Sequence, residues 1–148
     1  MAGVIRGNSF YTIVSGIAWT EAESNSISAG GHLVTINDQS ENDFLYNYAK
    51  SRQSNWGIWI GITDRVEEGV WRNLTSGNQS YFNWIPPDEP NNLTSYDSNG
   101  EDYAALTLES GVNGGRWGDI GNIHPTSGGV LNGITEIPLN LSITRSAT

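Results

Sequence analysis

The sequence predicts an α+β domain, with two helices early, several short antiparallel strands mostly late, and a long loop region from about Thr63 to Asp119. Three observations carry that expectation. Helix-start and helix-stop signals are confined to the first third of the chain. From Trp56 onward, short runs of β-branched and aromatic residues alternate with turn residues. Finally, 18 glycines and six tryptophans among 148 residues, with no cysteine, describe a loop-rich fold around an aromatic core.

The elements follow in order. Residues 8–14, NSFYTIV, alternate as a half-buried strand does. Thr20 with Glu23 three residues on reads as a capping box, and Gly30-Gly31 supplies the stop, which predicts a first helix between them. HLVTI, residues 32–36, reads as a short strand. A second helix is expected from Ser40 to about Ser51, with Ser40 and Asp43 as its box and Phe44, Leu45 and Tyr48 on one face. The remaining strands are expected in WGIWIGI, GVWR, SYFNW, YAALTL, RWGDI and GITEIPL. Residues 1–6 read as a tag or linker, 7–141 as the domain and 142–148 as a tail.

Composition narrows the function. A chain of this length buries about two-thirds of its unfolded surface and holds together without crosslinks. Lacking cysteine, it offers no thiol nucleophile, zinc–thiolate site or iron–sulfur cluster. A net charge of −9 argues against nucleic acid as partner, because phosphate binding needs a basic face, and it favours a cation. There is no run of 18 apolar residues, so membrane insertion is not expected. The N-terminal segment does not read as a secretory signal. That leaves a cytosolic protein or one module of a longer exported protein with Met1 added.

The acidity is local. Ten of the sixteen acidic residues lie between Asp64 and Asp119, against only Arg65, Arg72 and Arg116. They fall in four clusters: Asp64 with Glu68, the run Asp88-Glu89-Pro90-Asn91-Asn92, Glu101-Asp102, and Asp119. Calcium takes six to eight oxygen ligands at about 2.3–2.6 Å from carboxylates, amides, carbonyls and water. Zinc is a poor match, because His32 and His124 have no partner at ligand spacing. A solvated acidic surface is the plain competing explanation, and the order of the clusters is what argues against it.

In that order the sequence resembles the C-type lectin-like domain family from about Gly7 to Leu141. The matching motifs are WIGITD (59–64), EEGVW, FNW (82–84), Glu89-Pro90-Asn91, GED (100–102) and W-x-D-I (117–120). The resemblance implies two helices flanking small antiparallel sheets, with calcium and ligand held in the long loops. It implies a primary, sugar-binding calcium site at Glu89, Asn91, Glu101 and Asp119, with Pro90 in the cis form. It also implies an auxiliary structural calcium at Asp64, Glu68 and Asp102, with Glu101 shared and Asn92 as a possible further ligand. One or two Ca2+ ions are thus expected. The partner is a glycan with vicinal equatorial hydroxyls, of the mannose, glucose, N-acetylglucosamine or fucose type.

Three departures from the family pattern matter. Gly118 stands where the family has an asparagine ligand, which predicts a weaker primary site unless Asn92, Asp97 or Asn99 takes its place. Residues 92–99 lengthen the loop before GED and put Tyr96 at the pocket rim. Tyr103, Asn122 and Thr135 occupy expected half-cystine positions, and cysteine-free members point to a bacterial source. The expected product is therefore the adhesive domain of a bacterial surface or secreted protein, extracellular and not an enzyme. A protein- or ice-binding module on the same scaffold is the alternative. A glycosidase pair of Glu89 and Glu101 is disfavoured, since calcium ligands stay ionised whereas a general acid needs a raised pKa. His124 reads as a loop residue at the site's edge, while Trp59, Trp71 and Trp117 read as core. The N-x-S/T triplets at Asn73, Asn78, Asn92 and Asn140 read as composition rather than glycosylation signals.

Overall fold

A computed structural model of the chain describes residues 3–94, 99–124 and 129–139. Tyr96, Asp97, Asn140 and the expected tail at 142–148 lie outside the described residues. The elements are β1 (Gly3–Arg6), β2 (Ser9–Ser15), α1 (Trp19–Ser28), β3 (His32–Leu33), α2 (Gln39–Lys50), β4 (Gly57–Thr63), β5 (Arg72–Asn73), β6 (Tyr103–Thr107), β7 (Trp117–Ile120) and β8 (Val130–Pro138). The α+β class and the two helices stand as expected.

The helix starts differ from the predicted ones. In α1 the N-cap is Ala18, with no side-chain cap, and the Thr20–Glu23 box does not form. Glu21 instead reaches back to the Ile17 N–H (2.9 Å), while Asn122 accepts from the Trp19 and Thr20 N–H groups through its carbonyl and side chain. Glu23 is drawn to β3, where it accepts from Leu33 N–H (2.8 Å) and pairs with His32. A tertiary partner has displaced the local one. In α2 the cap is Asp38, accepting from Glu41 N–H (2.8 Å), so the box sits two residues before the predicted Ser40–Asp43. The stop of α1 matches: Gly30 at φ +105° and Gly31 return their N–H groups to Ile27 and Ser26, which satisfies two last-turn carbonyls.

The strands form one mixed sheet in the order β1-β2-β8-β4-β6-β7, with β3 on β8 and β5 on β4. The two antiparallel halves implied by the resemblance are joined by a single parallel pair, β4 with β8. Residues 3–6, expected as linker, pair antiparallel with β2 as β1. SYFNW is not a strand; it meets β7 through one bridge, Trp84 with Trp117. HLVTI pairs only at His32 and Leu33, and GVWR contributes only its last residue to β5.

The core lies on both sides of β4, whose first six residues are all buried. Trp59, Trp71 and Trp117 are core, as expected. Thr135, at an expected half-cystine position, shares a buried hydrogen bond of 2.6 Å with Ser26, tying α1 to β8. Tyr103 stacks on Trp19 at 4.6 Å, and Asn122 donates to Thr20. Polar and aromatic contacts thus stand where disulfides were expected. Replacing Ser26 by alanine leaves the Thr135 hydroxyl without this partner, and a thermal melt is expected to show a loss of about 1–3 kcal/mol.

Candidate metal centre

The antiparallel pairing of β4, β6 and β7 gathers the acids at one end of the sheet. Thr63 is opposite Tyr103, and Tyr103 is opposite Ile120, so Asp64, Asp102 and Asp119 emerge together. Asp64 N–H and the Thr63 hydroxyl both donate to the Asp102 carbonyl (3.1 and 2.6 Å), which fixes the first two side by side.

Asp64, Glu68 and Asp102 form the one acidic trio among the described residues whose ligand oxygens all lie within 4.8 Å of one another. Asp64 and Asp102 are buried and Glu68 is exposed. Asp64 Oδ2 accepts from Gly69 N–H (2.8 Å), while Asp64 Oδ1 is buried with no hydrogen-bond partner. A buried carboxylate oxygen left unpaired is costly, and a cation among the three groups would satisfy it. Burial, with Glu68 beside it, pushes the Asp64 carboxyl up to about 6. Burial and the Asp64 charge likewise raise Asp102, and Arg65 at 3.6 Å opposes that only in part. Arg72 pairs with Glu67, so the two nearby arginines serve other acids than Asp64 and Glu68.

The second group is built on the turn after FNW. Trp117 N–H donates to Asn83 C=O (2.7 Å) and Ile85 N–H to Trp117 C=O (2.9 Å), which fastens the segment to β7. The Glu89–Pro90 bond is cis, as the resemblance implied, and Pro86–Pro87 is cis as well. Asp119 then organises the turn, accepting from Asn91 N–H on both oxygens (3.0 and 3.1 Å) and from Asn92 N–H (2.7 Å). Glu89 Oε1 takes the Asn91 side-chain amide (2.8 Å), and Oε2 takes Asp119 N–H (2.9 Å). Glu101 accepts from Leu93 N–H (3.1 Å), and its own N–H donates to the Asn92 side chain (2.8 Å). Asn92 sits at φ +49° and acts as this loop's brace.

Glu89, Glu101 and Asp119 line one cavity of about 170 Å³ together with Trp56, Ile85 and His124. Burial, then the neighbouring Asp119, pushes Glu89 up to about 8; burial with Asp119 pushes Glu101 up to about 7. Both elevations come first from burial, with the Asp119 charge adding to it, and a cation in the cavity would oppose them. A second cavity, of about 320 Å³, runs from Asp64 and Glu68 to Asn92 and Asp119, so Asp119 borders both acidic groups.

All seven acidic and amide residues expected at the site lie at this end of the sheet, and His124 is at the edge as foreseen. Sequence reasoning missed Trp56 and Ile85 as lining residues. Trp56 lies outside the acidic motifs and Ile85 is an apolar residue just before the Asp88–Asn92 run, and only the pairing of β4 with β6 brings Trp56 beside β7. Asn73, one of the N-x-S/T sites, is buried and accepts from Thr75, Ser76 and Gly77 N–H groups, which makes it a turn brace.

Two helices around a mixed sheet, with an acid-rich long loop folded onto the end of β4, β6 and β7, define a lectin-type recognition domain. The chain belongs to the C-type lectin family, its residues 15–117 matching the Lectin C-type domain. Bovine tetranectin (Bos taurus) is 35% identical over 111 residues, 74% of this chain and 52% of tetranectin, so the chain spans about half the length of that relative. The cow CD23 C-type carbohydrate-recognition domain, solved in the presence of a GlcNAc2Man3 oligosaccharide, superposes with a TM-score of 0.73 at 25% identity, covering 94% of this chain and 95% of that one. A calcium-independent type II antifreeze protein shares the fold at a TM-score of 0.69 and 21% identity, covering 92% and 91%. No helix among the described residues is long and apolar enough to cross a membrane.

Proposed function

We propose that this domain is a calcium-dependent carbohydrate-binding module, extracellular and without enzymatic activity. Glu89, Asn91, Glu101 and Asp119 form the primary calcium and sugar site, and Asp64, Glu68 and Asp102 form the auxiliary calcium site. The observation that carries this reading is the cavity shared by Glu89, Glu101 and Asp119, with Glu89 and Glu101 pushed well above the ordinary carboxylate range. Calcium supplies there a charge of 2+ and open coordination positions for two vicinal hydroxyls. The chain's own part is to aim oxygens and to exchange hydrogen bonds. Glu89 and Glu101 accept from sugar hydroxyls, and the Asn91 amide donates to one.

Gly118 brings no side-chain oxygen, and Asn92, whose side chain accepts from Glu101 N–H and which borders the neighbouring cavity with Asp119, is the amide proposed to complete a shell. The raised carboxyls do not argue for a glycosidase. Their elevation comes from burial and the neighbouring Asp119 charge, and a bound cation would favour the ionised forms against both. The cysteine-free sequence supports a bacterial adhesin as the parent protein, although the relatives named above are animal proteins.

Immobilised mannose- and fucose-type glycans are expected to retain the protein in calcium and release it on chelation. Retention that ignores the chelator would overturn the mechanism. Retention by none of the glycans, with calcium still bound, would favour a protein-binding role instead.

A further inference from the structure

We propose that the cavity of about 340 Å³ between β3, the end of β8 and the turn after β5 binds an alkylammonium group through the Glu136 carboxylate. His32, Thr35, Asn37, Thr75, Glu136 and Pro138 line it. It shares no residue with either acidic cavity of the long loops, and none of the proposed calcium ligands borders it.

Two strands and a turn build the site. Glu136 on β8 is opposite His32 of β3, with Tyr11 of β2 on its other side. The turn after β5 closes the third side. Asn73 Oδ1 accepts from Thr75 N–H (3.0 Å), and the Gln79 side-chain amide donates to Ile36 C=O (2.7 Å), which fastens the turn to the segment after β3. Thr75 Oγ1 thereby stands 3.3 Å from Thr35 Oγ1, longer than an ordinary O–H···O bond, so both hydroxyls can take a better partner. The volume lies in the range of small-molecule sites, about 300–1,000 Å³.

The charge at this cavity has one sign. Glu136 is half-buried and accepts from the Ser9 hydroxyl (2.6 Å) and from Thr35 N–H (3.2 Å). Its electrostatic neighbour Glu41 is buried and accepts from the Tyr11 hydroxyl (2.7 Å) and Asn37 N–H (2.9 Å). Among the described residues no basic side chain forms an ion pair with either carboxylate. Arg6 is held at Ser40 Oγ (3.1 Å) and over the Phe44 ring, and His32 Nδ1 is paired with Glu23. Burial, with the Glu41 charge adding to it, raises the Glu136 carboxyl above its ordinary range.

A carboxylate accepts about four hydrogen bonds, and Glu136 takes two from the protein. An ammonium brings three donors and no acceptor, which suits Glu136 and the two threonine hydroxyls, while its alkyl stem lies along Pro138. An anion would meet Glu136 and Glu41 together, and a neutral alcohol gains no charge attraction.

The test titrates the isotope-labelled full chain by NMR near neutral pH with butylammonium chloride, n-butanol and Nα-acetyl-lysine methylamide, in chelator and again in calcium. Sodium chloride serves as the ionic-strength control. Both ammonium compounds are expected to shift the Thr35, Thr75 and Glu136 amides in either condition, and to bind at least about tenfold more tightly than butanol. Glu136→Gln removes the charge and keeps the shape, and Thr75→Phe fills the cavity. Each should weaken butylammonium binding at least about tenfold, with melting curves verifying the fold. Tighter binding of the lysyl compound than of butylammonium supports the site with a protein side chain as its occupant, and the reverse order supports it with a free amine. Absence of shifts at the cavity, equal affinity for butanol, or binding unchanged in both variants overturns it. Calcium enters none of these expected results, so loss of the calcium reading leaves them standing.

Discussion

Replacing Glu89 by glutamine is expected to abolish calcium-dependent sugar binding while the fold persists. Glu89 is the hub of the primary group: one oxygen takes the Asn91 amide, the other takes Asp119 N–H, and the carboxyl faces the cavity. Glutamine has the same shape but lacks the charge and offers one acceptor in place of two, so a cation loses one of three carboxylates. Loss of residues that merely orient metal ligands costs about 10–100-fold in affinity, and loss of a direct ligand costs at least that. Without calcium the effect is small. The carboxyl is raised to about 8 by burial and by Asp119, so near neutral pH it already holds a proton, and the variant, which keeps one of the two acceptors, melts close to the parent. Loss of binding with no loss of melting temperature separates a ligand from a structural prop. A variant that still binds glycans in calcium with unchanged affinity would remove Glu89 from the site.

The second large effect is an inversion of the pH–stability profile by calcium. In the calcium-free protein Glu89 is raised from 4.5 to about 8, Glu101 from 4.5 to about 7, and Asp64 from 3.8 to about 6. The folded state therefore keeps protons that the unfolded chain releases. The associated stability is complete below about pH 4 and is lost as pH rises from there through 8. Because Glu89 and Glu101 are half-exposed, solvent screening reduces the effect to about 1–2 kcal/mol, a fall in melting temperature of about 3–6 °C. Calcium binds the ionised forms, so its affinity climbs over the same interval and binding releases protons. At 100 times the dissociation constant it adds about 2.7 kcal/mol, or roughly 5–10 °C. Melting scans at pH 5 and pH 8 are expected to slope downward with chelator and upward with calcium. Parallel profiles would contradict the site. In Asp64→Asn the buried unpaired oxygen loses its charge, so the auxiliary share of the calcium gain disappears while the chelated protein gains stability.

The missing disulfides are accounted for by what replaces them. Ser26 with Thr135, and Trp19 with Tyr103, link α1 to β8 and β6 by a buried hydrogen bond and a stacked pair. Each such contact is worth about a kcal/mol, less than a crosslink. On the proposed calcium reading, metal bound in the long loops would carry a larger share of this domain's stability.

The local misreadings have one cause. Glu23 and Asp43 fit capping boxes by spacing, yet Glu23 is held by Leu33 N–H and His32 across the chain, and Asp38 wins the cap of α2. SYFNW has strand composition, but its aromatic rings pack on one another: Phe82 on Trp84 and Trp84 on Trp117, with Tyr81 also edge-on to Trp117, leaving one bridge to the sheet. Residues 3–6 are too few to announce a strand and become one only because β2 offers an edge. Propensity is a weak prior where a tertiary partner is available.

Length, composition and residue patterning determined by themselves the α+β class, the two helices and the tryptophan core, and the acidic motifs in their order marked the residues that the structure gathers at one end of the sheet. Such features are legible because burial and cation chemistry act on residue type and spacing, which the chain carries in one dimension. The single mixed sheet, the cap choices, the orphaned Asp64 oxygen and the packing of Trp56 over Gly118 were decided only in three dimensions. Each depends on which distant backbone or ring arrives at a given side chain. Gly118 shows the difference: along the chain it is a missing ligand, and in three dimensions it is where the Trp56 indole comes within 3.3 Å of the place a Cβ would take.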